Sequence, residues 1–364
     1  MSADDLDAMA ADAERADDLR KAQGDLERAR AARDDAQRTA KALAAEADEL
    51  RAMLGVYSAA RSFPVEVPEW TARPSRGGHR GLVMASMTDW HLDEVVKPEE
   101  VLHLNAFNRE IALMRARSWA EKLVTLPRDY TKGLALDGIV VCATGDLFTG
   151  EIHPELKETN ESPLLASVHW WQAPILAALR MLEREDGGNV VVNAVVGNHG
   201  RLSHKPVYKG RVYDNVEWLF WVTVRDRLAD LGSSVVVNVS PSMDLDVEVY
   251  GRHYLLTHGD QFRGGTGISG AFAPLSLGSH RKGKRQSVAG MPMQTMVIGH
   301  MHQLINIPGV IMGGCLKGYD EYAFGINAAP DPDGASQAMW ITSPERALVS
   351  WMPVYLQDRE AEGW

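Results

Sequence analysis

The chain has 364 residues, 45% hydrophobic and 24% charged, with a formal net charge of −11. That length supports an ample core in one large or two modest domains. The charge excludes coating of nucleic acid by bulk attraction while leaving room for a local basic patch. Two cysteines, Cys142 and Cys315, exclude a disulfide framework and stand in no metal-knuckle spacing.

In chain order, residues 1–54 are rich in Ala, Asp, Glu and Arg, hold one Gly and no Pro, and are predicted to be helical. A heptad runs from Leu19 through Leu26, Arg33, Leu43 and Leu50 to Leu54. It predicts a coiled coil over residues 19–54 whose mostly Ala seam pairs weakly, as a homodimer or with a partner helix. The register fails upstream, so residues 1–18 are expected to be disordered. The acidic N-terminus lacks the apolar stretch of a secretory signal. No run approaches the roughly 18 apolar residues of a membrane helix, so a cytoplasmic protein without membrane contact is expected. Residues 55–80 carry Pro64, Pro68, Pro74, Gly77 and Gly78 and read as a linker into a body over residues 81–364.

In the body, strands are predicted at residues 82–88, 138–144, 190–196, 235–239, 245–250, 253–257 and 295–298, with two more around 338–342 and 347–355. Helical patterns lie at about residues 105–126, 163–183 and 214–231. Strand–helix alternation fills the first half, while strands with little helix between them fill the second. The expected fold is α/β, with a second sheet packed on the first.

Five of these strands end alike. "LVMASMTDWH" delivers Asp89 and His91, "IVVCATGD" Asp146, "VVVNAVVGNH" Asn198 and His199, "HYLLTHGD" His258, and "TMVIGHMH" His300 and His302. Polar groups just past strand C-termini line the crevice of an α/β fold. Imidazole, carboxylate and amide oxygen together suit Mn, Fe, Zn or Ni rather than Ca or Mg, and their number suits two ions. Asp146 is the natural bridge, since a carboxylate offers one oxygen to each ion. The glycines before Asp146, Asn198 and His300 would let the backbone turn sharply.

The ordered set Asp-x-His, Gly-Asp, Gly-Asn-His, His, Gly-His-x-His, from Asp89 to His302, resembles the signature of calcineurin-like metallophosphoesterases. "GDLF" is similar to the double-strand-break-repair exonuclease branch. The resemblance implies an α/β metallophosphoesterase sandwich of two sheets flanked by helices, here with an N-terminal helical coiled-coil segment. It implies Asp89, His91 and His302 on one metal, Asn198, His258 and His300 on the other, and Asp146 between them. His199 would be the general acid beside the scissile phosphate, with a metal-bridging hydroxide as nucleophile. Many members follow Gly-Asn-His with Asp or Glu to orient the His, whereas this chain has Gly200.

For the substrate, Arg201, His204 and Lys205 follow the third motif. A Gly-rich segment after His258 ends in His280, Arg281, Lys282, Lys284 and Arg285. Read as a mobile basic loop, that segment with Arg201, His204, Lys205, Arg281 and Lys282 would bind a polyanion. The expected activity is that of a dinuclear, manganese-dependent phosphodiesterase, a nuclease on DNA or RNA. The alternatives are a phosphatase or cyclic-nucleotide phosphodiesterase on small nucleotide substrates, and an inactive scaffold. Trp170 and Trp171 lie at core-like helical spacing and are expected to pack rather than stack on bases.

Overall fold

Val-rich runs that are apolar at nearly every position are suited to parallel strands covered on both faces. In the computed structural model, β1 (Arg80–Met87), β2 (Ala135–Ala143), β3 (Val190–Ala194) and β4 (Val236–Val239) are parallel neighbours in that order. Parallel pairing requires a crossover between strands. The helices Arg109–Tyr130, Gln172–Glu185 and Val216–Asp230 supply those crossovers. The structure describes residues 65–72, 79–262 and 272–364, with scattered helical residues between 26 and 41.

The second sheet is built from β5 (Asp244–Val249), β6 (Arg252–Thr257), β7 (Met293–Ile298), β8 (Leu304–Ile307) and β9 (Val310–Cys315). The chain then returns to both sheets. Ser336–Gln337 (β10) and Val354–Tyr355 (β13) extend the second, while Met339–Thr342 (β11) and Ser350–Trp351 (β12) add antiparallel strands to the first beyond β1. Both sheets are therefore mixed.

Strand periodicity decides what each face meets. Leu82, Met84, Val140 and Cys142 point to the second sheet and pack with Tyr254, Leu256, Val297 and Ile311. Their neighbours Val83, Ala85, Ile139 and Val141 face the helices and join Trp119, Leu123, Ile175 and Phe220. Behind the second sheet, Met296, Ile298 and Met312 pack against Leu275 of the helix Phe272–Val288. The layers run helix, sheet, sheet, helix, which is the expected α/β sandwich.

Three features depart from expectation. The helical pattern over residues 163–183 divides into Leu164–Trp170 and Gln172–Glu185, with Trp171 fully buried at the joint. The hairpin of β8 and β9 had no period-2 pattern to announce it, because β9 is buried throughout. Third, Arg281, Lys282, Lys284 and Arg285 lie on the helix Phe272–Val288, not in a loop. Leu275, Gly278, Lys282 and Gln286 form its buried stripe, and a lysine within the stripe hides the apolar period.

The chain divides into two units, Met1–Pro64 and Val65–Trp364. Of the named heptad positions only Leu26 and Arg33 are described, both helical and exposed, and no coiled coil is seen among the described residues. Residues 1–18 and most of the seam lie outside them. Within the stretch read as a linker, residues 65–72 pack on the body. The Glu66 backbone N–H donates to Asn238 Oδ1 at 2.8 Å, and Trp70 covers Gly138. Among the described residues no helix is long and apolar enough to cross a membrane.

One buried ion pair ties the C-terminus to the crossover helices. The Arg115 guanidinium donates to both Glu362 oxygens at 2.8 Å and to the carbonyls of Leu316 and Lys317 at 3.1 and 2.7 Å. Removing one partner of such a pair costs about 3–5 kcal/mol, because the other charge is left buried. Arg115→Met is therefore expected to lower unfolding stability by about that amount in urea. A loss below about 1 kcal/mol would show that Glu362 finds solvent instead.

Candidate metal centre

Five strands, β1, β2, β3, β6 and β7, stop at the crevice, and several residues just beyond them are held in costly backbone shapes. Asp89, His91, Asp146, His300 and His302 have φ of 52°, 47°, 51°, 71° and 53°. Left-handed backbone at a non-glycine residue costs roughly 1–2 kcal/mol and clusters at functional sites. Five such residues at the mouth of one crevice mark a place where geometry overrides backbone preference.

Their side chains gather in two groups. Ligand atoms of Asp89, His91 and His302 lie within 4.8 Å of one another, as do those of Asp146, His258 and His300. In the first group the Nε2 atoms of His91 and His302 are 3.0 Å apart, and His302 Nε2 is 3.5 Å from Asp89 Oδ1. In the second, His258 Nε2 stands 2.9 Å from Asp146 Oδ2 and 3.0 Å from Asn198 Oδ1. The structure thus brings together all seven residues expected to be ligands.

The contacts behind these atoms aim them at common points. His258 Nδ1 donates to the Thr144 carbonyl at 2.8 Å, which turns Nε2 towards a carboxylate and an amide oxygen. Without metal, a proton on Nε2 holds such a contact together, and a bound cation would take that proton's place. Burial would lower the His258 imidazole, but Asp146 raises it to about 10. Burial opposes the charge on Asp146 too, yet His258 and His199 hold that carboxyl well below its usual range. His91 is pushed well down by burial and Lys317, and His300 to about 4 by burial and His258, so both imidazoles are neutral at neutral pH. The residues therefore fit two divalent cations.

A second layer sets the orientation of the first. Thr88 Oγ1 donates to Asp89 Oδ2 at 2.6 Å, and the His300 N–H to the same carboxylate at 2.9 Å. Glu217, buried on the helix Val216–Asp230, accepts the N–H groups of Leu147 at 2.6 Å and Gly197 at 2.8 Å. It thereby locks the Gly-Asp and Gly-Asn-His turns to one another. Burial, then Asp146, raises Glu217 to about 7. Lys317, fully buried, donates to Glu94 at 2.9 Å, and Glu94 in turn accepts from Thr149 Oγ1 at 2.7 Å. Glu217, Glu94 and Lys317 were not among the expected site residues, because nothing in their local spacing sets them apart from surface charges.

The glycines act differently from expectation. Gly145 has φ +91° and does turn the chain, whereas Gly197 and Gly299 have ordinary φ and are small for lack of space. A Cβ on Gly197 would lie 2.1 Å from Asp146 Oδ1, and one on Gly299 2.3 Å from Asp89 Oδ2.

His199 lies beside the second group. Its backbone N–H donates to Asp146 Oδ1 at 2.7 Å, and its Nδ1 donates to the Thr149 carbonyl at 2.7 Å, leaving Nε2 free. The Thr149 carbonyl thus orients the ring, the task that Asp or Glu at position 200 would otherwise have. Gly200 has no room for either, since a Cβ there would meet Asn215 Oδ1 at 2.4 Å.

The expected substrate residues fall in different places. The Arg201 guanidinium donates to the Asn198 carbonyl at 3.0 Å and to the Ser203 carbonyl at 3.1 Å, beside the ligands. His204 and Lys205 follow, exposed. Arg281 is exposed on its helix, but Lys282 turns inward, its ammonium held by Asp244 at 2.5 Å and Thr257 at 3.2 Å. Lys282 is thereby a buried structural cation rather than part of a basic loop. Trp171 is in the core, donating to Asp93 Oδ1 at 3.0 Å, and Trp170 lies under Arg109.

No family model and no curated protein matches the chain. Solved structures aligning with it include a conserved uncharacterized protein (predicted phosphoesterase) of Streptococcus pneumoniae TIGR4, 12% identical, covering 75% of this chain and 97% of that one at a TM-score of 0.28. Vacuolar Protein Sorting 29 from Cryptosporidium parvum aligns at 14% identity over 72% and 86% of the two chains, TM-score 0.28. The Zn2+ complex of the same sorting protein from Entamoeba histolytica aligns at 12% identity over 76% and 100%, TM-score 0.29. Likenesses this slight add nothing to the site geometry.

The two groups make a direct expectation. Protein dialysed against Mn2+ should hold two ions per chain by elemental analysis, and His302→Ala should reduce that number towards one. Retention of two tight ions in His302→Ala would remove His302 from the ligand set.

Proposed function

We propose that the chain is a dinuclear-metal phosphodiesterase acting on nucleic acid. The observation that carries this reading is the pairing of two convergent His/Asp groups with a fifth imidazole, His199, that is fixed beside them and is not part of either group. Asp89, His91 and His302 would hold one cation and Asn198, His258 and His300 the other, with Asp146 between them. When bound, the ions supply positive charge for the phosphoryl oxygens and an activated water as nucleophile.

The protein's own groups provide the rest. Asp146 fixes the His199 backbone, and the Thr149 carbonyl fixes its Nδ1–H, so Nε2 alone faces the reacting ester. Burial lowers the His199 imidazole, so a proton on Nε2 is readily released. As the new P–O bond forms and the ester P–O bond breaks, that proton passes to the departing oxygen, giving a hydroxyl on one product and a phosphomonoester on the other. Nucleic acid is favoured over a small ester by Arg201, bonded to a ligand's own carbonyl, and by the exposed His204 and Lys205 that follow it. Manganese suits the mixed donor set.

The test is hydrolysis of end-labelled DNA and RNA with Mn2+, beside bis(p-nitrophenyl) phosphate, with Asp146→Ala as control. Cleavage that vanishes in the control is expected; diester turnover without polymer cleavage would overturn the nuclease reading. A general acid contributes about 100- to 10,000-fold where the leaving group is poor. His199→Ala should therefore reduce DNA cleavage by about 100-fold or more while sparing the nitrophenyl ester, whose leaving group needs no proton. Equal losses on both substrates would assign His199 to charge stabilisation instead.

A further inference from the structure

Between the Gly-Asn-His turn and the helix Val216–Asp230 runs "RLSHKPVYKGRVY", Arg201 to Tyr213. It carries Arg201, Lys205, Lys209 and Arg211 and no acidic residue, on a chain of net charge −11. The hydrolytic chemistry accounts for little of it.

Both ends of the segment are fastened to the metal-centre loops. At the first, Arg201 bonds to the Asn198 carbonyl, and the Leu202 N–H donates to the Asp214 carbonyl at 3.0 Å. At the second, Arg211 makes a two-point pair with Asp260 at 2.7 and 2.9 Å, two residues beyond His258. Between them the chain doubles back, so that Pro206 and Val207 line one crevice with Gly197 and Asn198. The next residue, Tyr208, is 77% exposed. Lys205 and Lys209 on either side of it are exposed as well, and among the described residues no carboxylate pairs with either. An exposed aromatic ring, flanked by free ammonium groups and next in the chain to residues that line a crevice with Asn198, has the chemistry that holds unpaired bases and their backbone.

We propose that this loop seats a single-stranded nucleic acid, with one base stacked on Tyr208 and adjoining phosphates on Lys205 and Lys209, delivering the next phosphodiester to the metal centre. The proposal rests on the phosphodiesterase reading and names its substrate more closely. A duplex offers no free base face, so the loop selects frayed ends, loops and single strands. The ring stacks on any base, so selection is by strandedness rather than sequence.

The experiment compares wild type, Tyr208→Ala, Tyr208→Phe and Lys205→Ala/Lys209→Ala on a labelled single strand of DNA, the matching RNA, a blunt duplex and bis(p-nitrophenyl) phosphate with Mn2+. Strand binding is followed in parallel by fluorescence anisotropy. For Tyr208→Ala, the strand-to-diester ratio of kcat/KM is expected to fall about tenfold, through KM, as for loss of one stacked base. Tyr208→Phe should retain the wild-type ratio, because stacking needs the ring and not the hydroxyl. The lysine pair should bind more weakly on every sequence and lose one to two units of salt slope. An unchanged ratio in Tyr208→Ala, a Phe variant as impaired as the Ala one, or an equal loss on blunt duplex would each overturn the loop's role. DNA and RNA arms show which sugar is accepted. Absence of all hydrolysis in the wild type would instead sink the enzymatic reading, while Tyr208-dependent anisotropy would still decide the loop.

Discussion

The constraint on which this structure turns is the crowding of titratable side chains into one crevice. His258 sets Nε2 against Asp146 and Asn198, and His91 and His302 meet Nε2 to Nε2, contacts that without metal only a bound proton can hold together. A protein that needed these residues only for packing would rotate them apart. Here they are held in place by backbone at positive φ and by hydrogen bonds from behind, such as His258 to Thr144 and Asp89 to Thr88. The unfavourable folding terms at the crevice are of the kind that binding of cations offsets, since ligands that bind only the folded state add to its stability.

The rigidity comes from contacts that lie far apart in the chain. Glu217 accepts N–H groups from the Gly-Asp and Gly-Asn-His turns at once, and Asn215 fills the space beside Gly200 while donating to the Gly197 carbonyl at 2.9 Å. Both sit at the start of one helix, so that helix sets the distance between two ligand-bearing strands. This arrangement also explains the missing acid after Gly-Asn-His. Asn215 occupies its place, and the orientation of His199 passes to the Thr149 carbonyl, a backbone group no mutation at position 149 easily removes.

How much of this could be read from sequence follows from whether a signal is local. The residues that cluster at the crevice were legible because each follows an apolar strand, and five strand ends of one character are improbable together. The layered α/β fold was legible for the same reason, through period-2 and period-3.6 patterns. The helix Phe272–Val288 was not, because Lys282 occupies its buried stripe and reads as a surface charge until Asp244 and Thr257 are seen around it. Hairpin strand β9 was missed because burial of both faces erases alternation. Glu217 and Lys317 were invisible in principle, since a buried charge looks like an exposed one until its partners, up to 223 residues away, are in place. The glycines were noted for the wrong property: at Gly197 and Gly299 it is the missing Cβ, and not the freedom of φ, that the site uses.

Charge is the last link between site and substrate. A net charge of −11 would repel a polyanion if it acted as a whole. At physiological salt, however, exposed charges more than about 8 Å apart are largely screened, so a strand entering the crevice responds to what is near it. Near it are Arg201 and Arg211, fixed to the ligand loops, and then Lys205 and Lys209, which project beyond them. On the helix behind the second sheet, Lys282 and Arg285 share the carboxylate of Asp244, while Arg281 and Lys284 stay exposed. The loop that follows His199 thus presents free positive charge beside the crevice. On the nuclease reading, an acidic body restrains unproductive binding elsewhere, while a basic lip beside the crevice leaves attraction where a substrate would enter.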